Sequence, residues 1–262
     1  MSEITDVLIK ALEAGGEVLM RHYAALDSIE TKGSAKNLVT IADKQSEEAI
    51  KDVIWSHFPS HSILGEETGA QALRGSSDFR WIIDPLDGTT NYAHTMPLFA
   101  VSIGVEFKGE VVAGGVFNPY YKELFLAERG SGAALNGTPI RPSRNATLSQ
   151  CLVVTGFPYD TPEVLQRCLS EIGKVLSHVH GVLRLGAAAL DLCYVACGRL
   201  DVFWQRNLYP WDTAAGWLIV EEAGGKVTDF TGGQFSPFGN EVLATNGLVH
   251  EEFIQSFGNA LR

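Results

Sequence analysis

The chain has 262 residues, of which 45% are hydrophobic and 19% charged, and its net charge at pH 7 is −11. We expect one domain over residues 1–262 with a substantial core and subdomains of about 1–147 and 148–262. No apolar run is long enough to span a membrane, and the first residues lack the pattern of a signal peptide, so we expect a cytoplasmic protein. The acidic balance, without a long basic cluster, argues against direct binding to nucleic acid.

The predicted secondary structure begins with two helices. Apolar residues at helical spacing predict one helix that ends at about Ala25 and a second that Pro59 ends. After Trp81 the pattern becomes one of strands, with a hairpin of Phe99–Phe107 and Val111–Phe117. Helices and strands then mix without strict alternation. This order predicts an α+β fold of stacked helix and sheet layers.

The most informative segment reads Trp-Ile-Ile-Asp-Pro-Leu-Asp-Gly-Thr-Thr-Asn over residues 81–91. An apolar strand leads to Asp84, and we expect Pro85 to turn the chain out of the sheet so that Asp87 follows on a turn. Two carboxylates three residues apart on a turn can converge, and the carbonyl of Leu86 lies between them. Oxygen ligands of this kind suit Mg²⁺.

The residues after this carboxylate pair are Gly88, Thr89 and Thr90, which we interpret as a helix start. Backbone N–H groups and hydroxyls at a helix start can hold a phosphate. An alternative is structural, because Asp-Pro and Asp-Gly pairs are common in turns and Thr89 could merely cap a helix. The complete eleven-residue run favours a functional site.

The segment Leu86–Thr89 is superficially similar to the Asp-x-Asp-Gly-Thr motif of haloacid-dehalogenase phosphatases. The nucleophilic aspartate of that motif would have to be at position 85, which is Pro85. Proline cannot attack phosphorus, and the segment lies far from the N-terminus, where that family carries its motif. A covalent mechanism of that class is therefore excluded.

Two further acidic segments are candidates for the same site. Glu66 and Glu67 follow a short apolar run, and Asp212 lies at a predicted helix start. By themselves, the two glutamates are typical of a solvated loop. Asp212 alone is equally well explained as a helix cap, since a carboxylate interacts favourably with the helix dipole.

Together these segments resemble the inositol monophosphatase family, within the wider group that includes fructose-1,6-bisphosphatases. The resemblance rests on Gly65-Glu-Glu, the run over residues 81–91, Trp211-Asp-Thr-Ala-Ala-Gly216 and Glu222-Ala-Gly-Gly225. It implies a layered α-β-α-β-α sandwich and a homodimer. It also implies Mg²⁺-dependent hydrolysis of a small phosphate monoester, most readily inositol 1-phosphate, by water, with inhibition by Li⁺.

The resemblance also implies roles for individual residues. The implied metal ligands are Glu66, Asp84, the carbonyl of Leu86, Asp87 and Asp212. The implied catalytic groups are Glu66 and Thr89, the latter hydrogen-bonded to Asp43 to orient and deprotonate the attacking water. The implied substrate-binding residues are Asp87, Gly88, Thr89, Thr90, Gly186, Ala187, Ala188, Gln205 and Asp212. Lys32 corresponds to a lysine that the family places in a mobile loop near the site.

One position departs from the family pattern. Many inositol monophosphatases carry a glutamate where this chain has Gln205, which can accept a hydrogen bond but also donates and carries no charge. This weakens the preference for inositol 1-phosphate and leaves fructose 1,6-bisphosphate and histidinol phosphate as alternatives. We expect the next residue, Arg206, to be on the surface. A regulatory role as a partner of the transcription machinery is a further alternative.

Overall fold

The computed structural model describes residues 3–24, 29–31, 38–72, 77–157 and 162–258. The helices over these residues are α1 (Glu3–His22), α2 (Ile41–His57), α3 (Thr89–Ala93), α4 (Pro162–Leu176), α5 (Ala188–Ala196), α6 (Pro210–Ala223) and α7 (His250–Phe257), with a short 3₁₀ turn at Leu148–Gln150.

The strands form a two-stranded, an eight-stranded and a five-stranded sheet. The two-stranded sheet pairs β1 (Ile29–Thr31) with β2 (Leu38–Thr40). The strands of the large sheet are β3 (Ser62–Gly65), β4 (Gly69–Ala72), β5 (Phe79–Asp87), β6 (Ala100–Phe107), β7 (Glu110–Asn118), β8 (Glu123–Glu128), β9 (Gly132–Leu135) and β10 (Thr138–Pro139). The strands of the small sheet are β11 (Leu152–Thr155), β12 (Gly181–Leu183), β13 (Val202–Arg206), β14 (Lys226–Thr228) and β15 (Glu241–Thr245).

Both of the larger sheets mix parallel and antiparallel pairing. The large sheet has the order β10-β9-β8-β7-β6-β5-β3-β4, and only its β3–β5 pair is parallel. The small sheet has the order β12-β11-β13-β15-β14, with β11 parallel to both of its neighbours. The carboxyl ends of β11, β12 and β13 therefore lie at one edge, which is where α/β sheets commonly bind ligands.

The helices and sheets stack as five layers. Helices α1 and α2 pack on one face of the large sheet, and α5 and α6 pack on the other. Helices α5 and α6 also contact the small sheet, and α4 and α7 pack together on the far side of that sheet. The order is α-β-α-β-α, which confirms the predicted fold class. The predicted division into subdomains near residues 147–148 stays a prediction.

Strand alternation divides the apolar residues between the layers. Trp81 and Ile83 of β5 face the core under α1 and α2, whereas Ile82 between them faces the core under α5 and α6. In the small sheet Phe203 faces α5 and α6, and Trp204 faces α4 and α7. Because successive side chains of a strand point to opposite faces, Asp84 lies on the same side as Ile82, toward α5 and α6.

Two details correct the predicted elements. Helix α1 ends at His22 rather than at about Ala25. Strand β5 does not end at Pro85, because pairing with β6 resumes at Asp87.

Within the described part of the chain, no helix combines the length and the apolar character that crossing a membrane requires.

Candidate active site

A bulge in β5 brings its two aspartates to one face of the large sheet. Asp84 is opposite Ser102 of β6, and Asp87 is opposite Ala100, so three steps along β5 match two along β6. In a regular strand residues three apart point to opposite faces, but one extra residue restores the same side. The Asp-Pro-Leu-Asp spacing therefore directs both carboxylates toward α5 and α6.

The third carboxylate comes from α6, which packs unusually close to the sheet. A Cβ added at Gly104 would lie 2.8 Å from the Cβ of Ala214, and one at Gly114 would lie 3.0 Å from the Cα of Ala215. Small residues on both surfaces thus permit this approach. It places Asp212, in the first turn of α6, beside the aspartates of β5.

Asp84, Asp87 and Asp212 offer carboxylate oxygens that all lie within 4.8 Å of one another. Burial raises the pKa of Asp84 and Asp212 well above the usual range, and neighbouring carboxylates raise both further. Burial likewise raises the pKa of Asp87 to about 7, although backbone hydrogen bonds oppose the shift. A group of buried like charges of this kind is costly unless protons or a cation neutralise it.

Glu66 lies outside this group of three but acts on it. Its negative charge contributes to raising the pKa of Asp84, Asp87 and Asp212. Its backbone N–H donates to the carbonyl of Ile83 at 3.1 Å, next to Asp84 in the chain. The structure thus brings Glu66 near the cluster, while its role as a metal ligand stays a prediction.

Backbone hydrogen bonds orient two of the clustered carboxylates. Asp87 accepts from the N–H groups of Ala188 at 3.1 Å and Ala189 at 2.8 Å, at the start of α5. Asp212 accepts from the N–H of Tyr209 at 2.7 Å and closes a capping box on α6. Tyr209 is the N-cap residue and Asp212 is three residues into the helix, so Asp212 caps α6 from its first turn rather than as the N-cap itself. This capping is compatible with a ligand role because the same carboxylate also belongs to the cluster.

The Thr89 hydroxyl lies between two acceptors. It is 3.1 Å from the carbonyl of Leu86 and 3.4 Å from Oδ1 of the buried Asp43 on α2. A hydroxyl has one proton to donate, so it serves one of these acceptors at a time and keeps lone pairs for a water. Gly88 precedes α3 with φ +86°, a left-handed conformation that suits glycine. Thr90, the next residue of α3, follows the same turn.

The segment predicted to line the substrate lies against this turn. A Cβ added at Gly88 would lie 3.2 Å from the Cβ of Ala187, and the side chain of Asn91 donates to the carbonyl of Leu185 at 2.8 Å. Gly186 precedes Ala187, which is the N-cap of α5, and Ala188 is the first residue of that helix. These contacts bring residues 185–188 beside the carboxylate cluster.

Gln205 packs against the loop that follows β11. A Cβ added at Gly156 in this loop would lie only 1.9 Å from Oε1 of Gln205, so the side chain lies directly over the glycine. It lies near the carboxyl end of β13, at the edge where the parallel strands end. A contact between Gln205 and a substrate stays a prediction.

The expectation that Arg206 is a surface residue is wrong. Its guanidinium is nearly buried in ion pairs with Glu171 at 2.8 Å and Glu241 at 2.7 Å, and it lies over the ring of Phe230. The reason is again strand alternation, which turns Arg206 to the opposite face from Gln205. Lys32 lies outside the described residues.

A model of the inositol monophosphatase family matches residues 1–262. The chain belongs to the inositol monophosphatase family. The resemblance inferred from the motifs is thereby confirmed, and family membership supports a phosphatase that depends on a metal.

Named relatives extend along nearly the full chain. An inositol-1-monophosphatase of Synechocystis is 42% identical over 251 residues, covering 96% of this chain and 87% of the relative. A protein of Salmonella typhimurium named Nus factor SuhB is 39% identical over 262 residues, covering 100% of this chain and 98% of the relative. The crystal structure of extragenic suppressor protein suhB from Bartonella henselae superposes with a TM-score of 0.92 at 40% identity, covering 100% of this chain and 99% of that one.

Sequence reasoning missed two residues that shape the inositol monophosphatase site. Asn91 belongs to the run over residues 81–91, but the sequence indicates no role for it; its side chain donates to the carbonyls of Leu98 and Leu185 and joins them to α3. Glu47 is not among the residues of the recognised motifs, although it is buried on the same face of α2 as Ile50 and Ile54. A charged residue on the apolar face of a helix was the signal that could have identified it.

Proposed function

We propose that this protein is a Mg²⁺-dependent phosphatase that hydrolyses small phosphate monoesters, most readily inositol 1-phosphate, by direct attack of water. The observation that carries the proposal is the meeting of Asp84, Asp87 and Asp212 within 4.8 Å, on two elements more than 120 residues apart in the chain. Such a cluster has the oxygen ligands that a hard divalent cation prefers.

The site fits a divalent cation because of its charge as well as its ligand type. Asp84 and Asp87 are buried and Asp212 is half-buried. The charges of Glu66 and Asp87 raise the pKa of both Asp84 and Asp212, so the group favours a bound positive charge. We assign the metal to Asp84, Asp87, Asp212, Glu66 and the carbonyl of Leu86. When bound, Mg²⁺ would neutralise charge on the phosphate and lower the pKa of a water molecule.

The remaining chemistry falls to side chains and backbone around the cluster. We assign Thr89 and Asp43 to orienting the attacking water and taking its proton, with Glu66 as a second acceptor. Gly88, Thr89 and Thr90 would hold the phosphate, and the residues from Gly186 to Ala188 would line the rest of the substrate. Catalysis is then mainly positioning and charge stabilisation.

The choice of substrate depends on the polar groups of the protein that surround the sugar or polyol portion of the phosphate monoester. The carbonyl oxygen of Gln205 can accept from a substrate hydroxyl, but the side chain supplies no negative charge. Fructose 1,6-bisphosphate and histidinol phosphate are therefore the alternative substrates. The Gln205→Glu variant tests this assignment, because a glutamate there should raise the relative rate on inositol 1-phosphate.

A phosphate-release assay tests the proposal. We expect purified protein to release phosphate from at least one of these three monoesters with Mg²⁺, to lose that activity with EDTA, and to be inhibited by Li⁺. Turnover that persists without any divalent ion would rule out the mechanism. A ratio of rates on the three substrates that is the same in wild type and Gln205→Glu would remove Gln205 from the substrate site.

A second candidate function is regulatory. It is favoured by the name of the Salmonella relative, a Nus factor, at 39% identity over the whole chain. On this alternative the chain would bind a protein of the transcription machinery, and the absence of turnover on a broad panel of monoesters would favour it. A cytoplasmic location is part of both proposals.

We also propose that the chain forms a homodimer. The small sheet ends at β12, and exposed leucines lie on this strand and on the adjacent α4: Leu165, Leu169, Leu176 and Leu183. A second copy covering this face would remove their apolar surface from water. Light scattering should give twice the monomer mass for wild type and the monomer mass for Leu169→Glu; a monomeric wild type would contradict the proposal.

A further inference from the structure

Helix α2 presents three buried polar side chains to three different parts of the site. Asp43, Ser46 and Glu47 are each at most 2% exposed. Residues three and four apart lie on one face of a helix, so these three side chains point the same way. Asp43 reaches the Thr89 hydroxyl, and Ser46 donates to the carbonyl of Pro85 at 3.0 Å.

Glu47 binds the loop between β3 and β4 with both of its carboxylate oxygens. Its Oε2 accepts from the backbone N–H of Glu67 at 2.9 Å, and its Oε1 accepts from the hydroxyl of Thr68. These are the two residues that directly follow Glu66. A carboxylate that accepts two hydrogen bonds in this way fixes both the position and the direction of the loop.

The backbone of Glu66 is also held from its other side. Its N–H donates to the carbonyl of Ile83 at 3.1 Å, which continues the parallel pairing of β3 and β5. The preceding residue, Gly65, makes room for Glu47, since a Cβ added there would lie 2.5 Å from Oε2 of Glu47. The Gly-Glu-Glu motif thus contains a small residue because a buried carboxylate packs against it.

The charge of Glu47 has a buried partner. Lys51, one turn later on α2 and 3% exposed, places its Nζ 3.7 Å from Oε1 of Glu47. Burying an ion pair contributes little to stability compared with apolar residues of similar size. The carboxylate is therefore better explained by the loop that it holds than by the stability of α2.

We propose that Glu47 is a positioning residue that holds residues 66–68 and thereby directs the carboxylate of Glu66 toward Asp84, Asp87 and Asp212. It would set the affinity of the site for a divalent cation without touching the cation. This inference rests on the proposed function in one respect, the assignment of Glu66 as a ligand.

The first test is the Glu47→Gln variant, which keeps the shape of the side chain. The N–H of Glu67 and the hydroxyl of Thr68 donate to different oxygens of Glu47, and in an amide one of these oxygens is replaced by an NH2 group that cannot accept. We expect the variant to bind Mn²⁺ about 10- to 100-fold more weakly, measured by electron paramagnetic resonance of the free ion, as is typical when a group that supports a metal ligand is altered. Phosphate release at fixed Mg²⁺ should fall similarly and recover as Mg²⁺ is raised.

The matched control is Glu106→Gln. Glu106 is also a buried glutamate with a cationic partner, Arg80 at 2.7 Å, but it pairs with the opposite end of β5 from Asp87. We expect the control to keep the wild-type Mn²⁺ affinity and the wild-type dependence on Mg²⁺. A variant that lost only stability would resemble this control in both measurements.

A second variant keeps the inference testable if Glu47→Gln does not fold. Thr68→Val removes one donor and leaves the charge of Glu47 in place, so we expect a smaller loss of Mn²⁺ affinity in the same direction. In the double variant Glu47→Gln with Thr68→Val, the loss of Mn²⁺ affinity should be smaller than the product of the two single losses, because both substitutions disrupt the contact between Glu47 and Thr68. If Glu47→Gln lowers the Mn²⁺ affinity and Thr68→Val does not, the effect comes from the hydrogen bond between Glu47 and the N–H of Glu67.

Wild-type Mn²⁺ affinity in every one of these variants that folds would overturn the inference. Failure of the proposed function has a different signature: a wild-type chain that binds Mn²⁺, with Glu47→Gln binding it more weakly, but that releases no phosphate. A wild-type chain that binds no Mn²⁺ would overturn both.

Discussion

Asp87 and Ala189, which are 102 positions apart in the chain, are joined by a hydrogen bond of 2.8 Å from the backbone N–H of Ala189 to the carboxylate of Asp87. Ala188 donates to the other oxygen of the same carboxylate. Helix α5 therefore begins with N–H groups that a side chain from β5 satisfies, in place of a cap from its own segment. This contact ties the end of β5, to which we assign metal ligands, to the segment that we assign to the substrate.

The Asp87→Asn variant separates the two roles of this residue. Asparagine can still accept a hydrogen bond from α5, so we expect the chain to fold, but it loses the charge of a ligand. Several kcal/mol of transition-state stabilisation correspond to a rate loss of about 1,000-fold or more. The measurement is phosphate release with Mg²⁺ on the substrate that the wild type prefers.

Asp229→Asn is the matched control for this variant. Asp229 also accepts two backbone N–H bonds, from Thr231 at 2.7 Å and Gly233 at 2.8 Å, within its own turn. We expect its activity to stay within about 2-fold of wild type, the scale of a change far from a site. An Asp87→Asn variant as active as this control would contradict the ligand assignment.

Asp84→Asn should stabilise the metal-free protein while removing its response to Mg²⁺. Burial and the charges of Glu66, Asp87 and Asp212 raise the pKa of Asp84, so its negative charge opposes folding at neutral pH. A neutral amide at this position removes the repulsion, and we expect a gain in the free energy of unfolding of at least about 1 kcal/mol. Calorimetric melting with EDTA and with Mg²⁺ measures both effects. A lower melting temperature in EDTA would show that repulsion in the cluster is not the governing term.

Gly88→Ala should impair both folding and activity. The residue has φ +86°, and an added Cβ would lie 2.8 Å from the carbonyl oxygen of Leu98. Gly109→Ala is the control, since Gly109 has φ +87° with nothing within 4 Å of an added Cβ. We expect a loss of about 1 to 2 kcal/mol from the backbone conformation in both variants, and a further loss only in Gly88→Ala. Urea unfolding measures both, and equal losses would contradict the close packing at Gly88.

His250 makes the stability of the protein depend on pH. Burial lowers the pKa of its imidazole from 6.5 to about 4, and the hydroxyls of Thr228 and Thr245 contact its two ring nitrogens. As the pH falls below about 6.5 the unfolded chain takes up a proton that the folded protein does not. Stability is therefore lost from about pH 6.5 down to about pH 4.

Replacing His250 by Gln tests this dependence, because an amide does not titrate. Between about pH 7.5 and pH 4.5 we expect wild type to lose about 2 to 3 kcal/mol more of its free energy of unfolding than His250→Gln loses. Urea unfolding of each protein at both pH values supplies the comparison. An identical loss in the two proteins would show that another group governs the acid response.

The sequence alone was sufficient for the layered fold and for the carboxylates that would meet. Apolar periodicity located the helices, and the run over residues 81–91 singled out Asp84 and Asp87 because such a dense set of polar and small residues at the end of an apolar strand has few structural explanations. Asp212 was harder, since its cap geometry, which the structure contains, is common in helices without any site.

Only the tertiary structure decided how those residues come together. The bulge in β5 that turns Asp84 and Asp87 to one face depends on pairing with β6, and the approach of α6 depends on small residues on both surfaces. The hold of Glu47 on residues 67 and 68 links a helix to a loop 20 positions away. The residues of one segment indicate which helix or strand that segment can form. These contacts instead join segments that are distant in the chain, so their geometry depends on how the helices and sheets pack together.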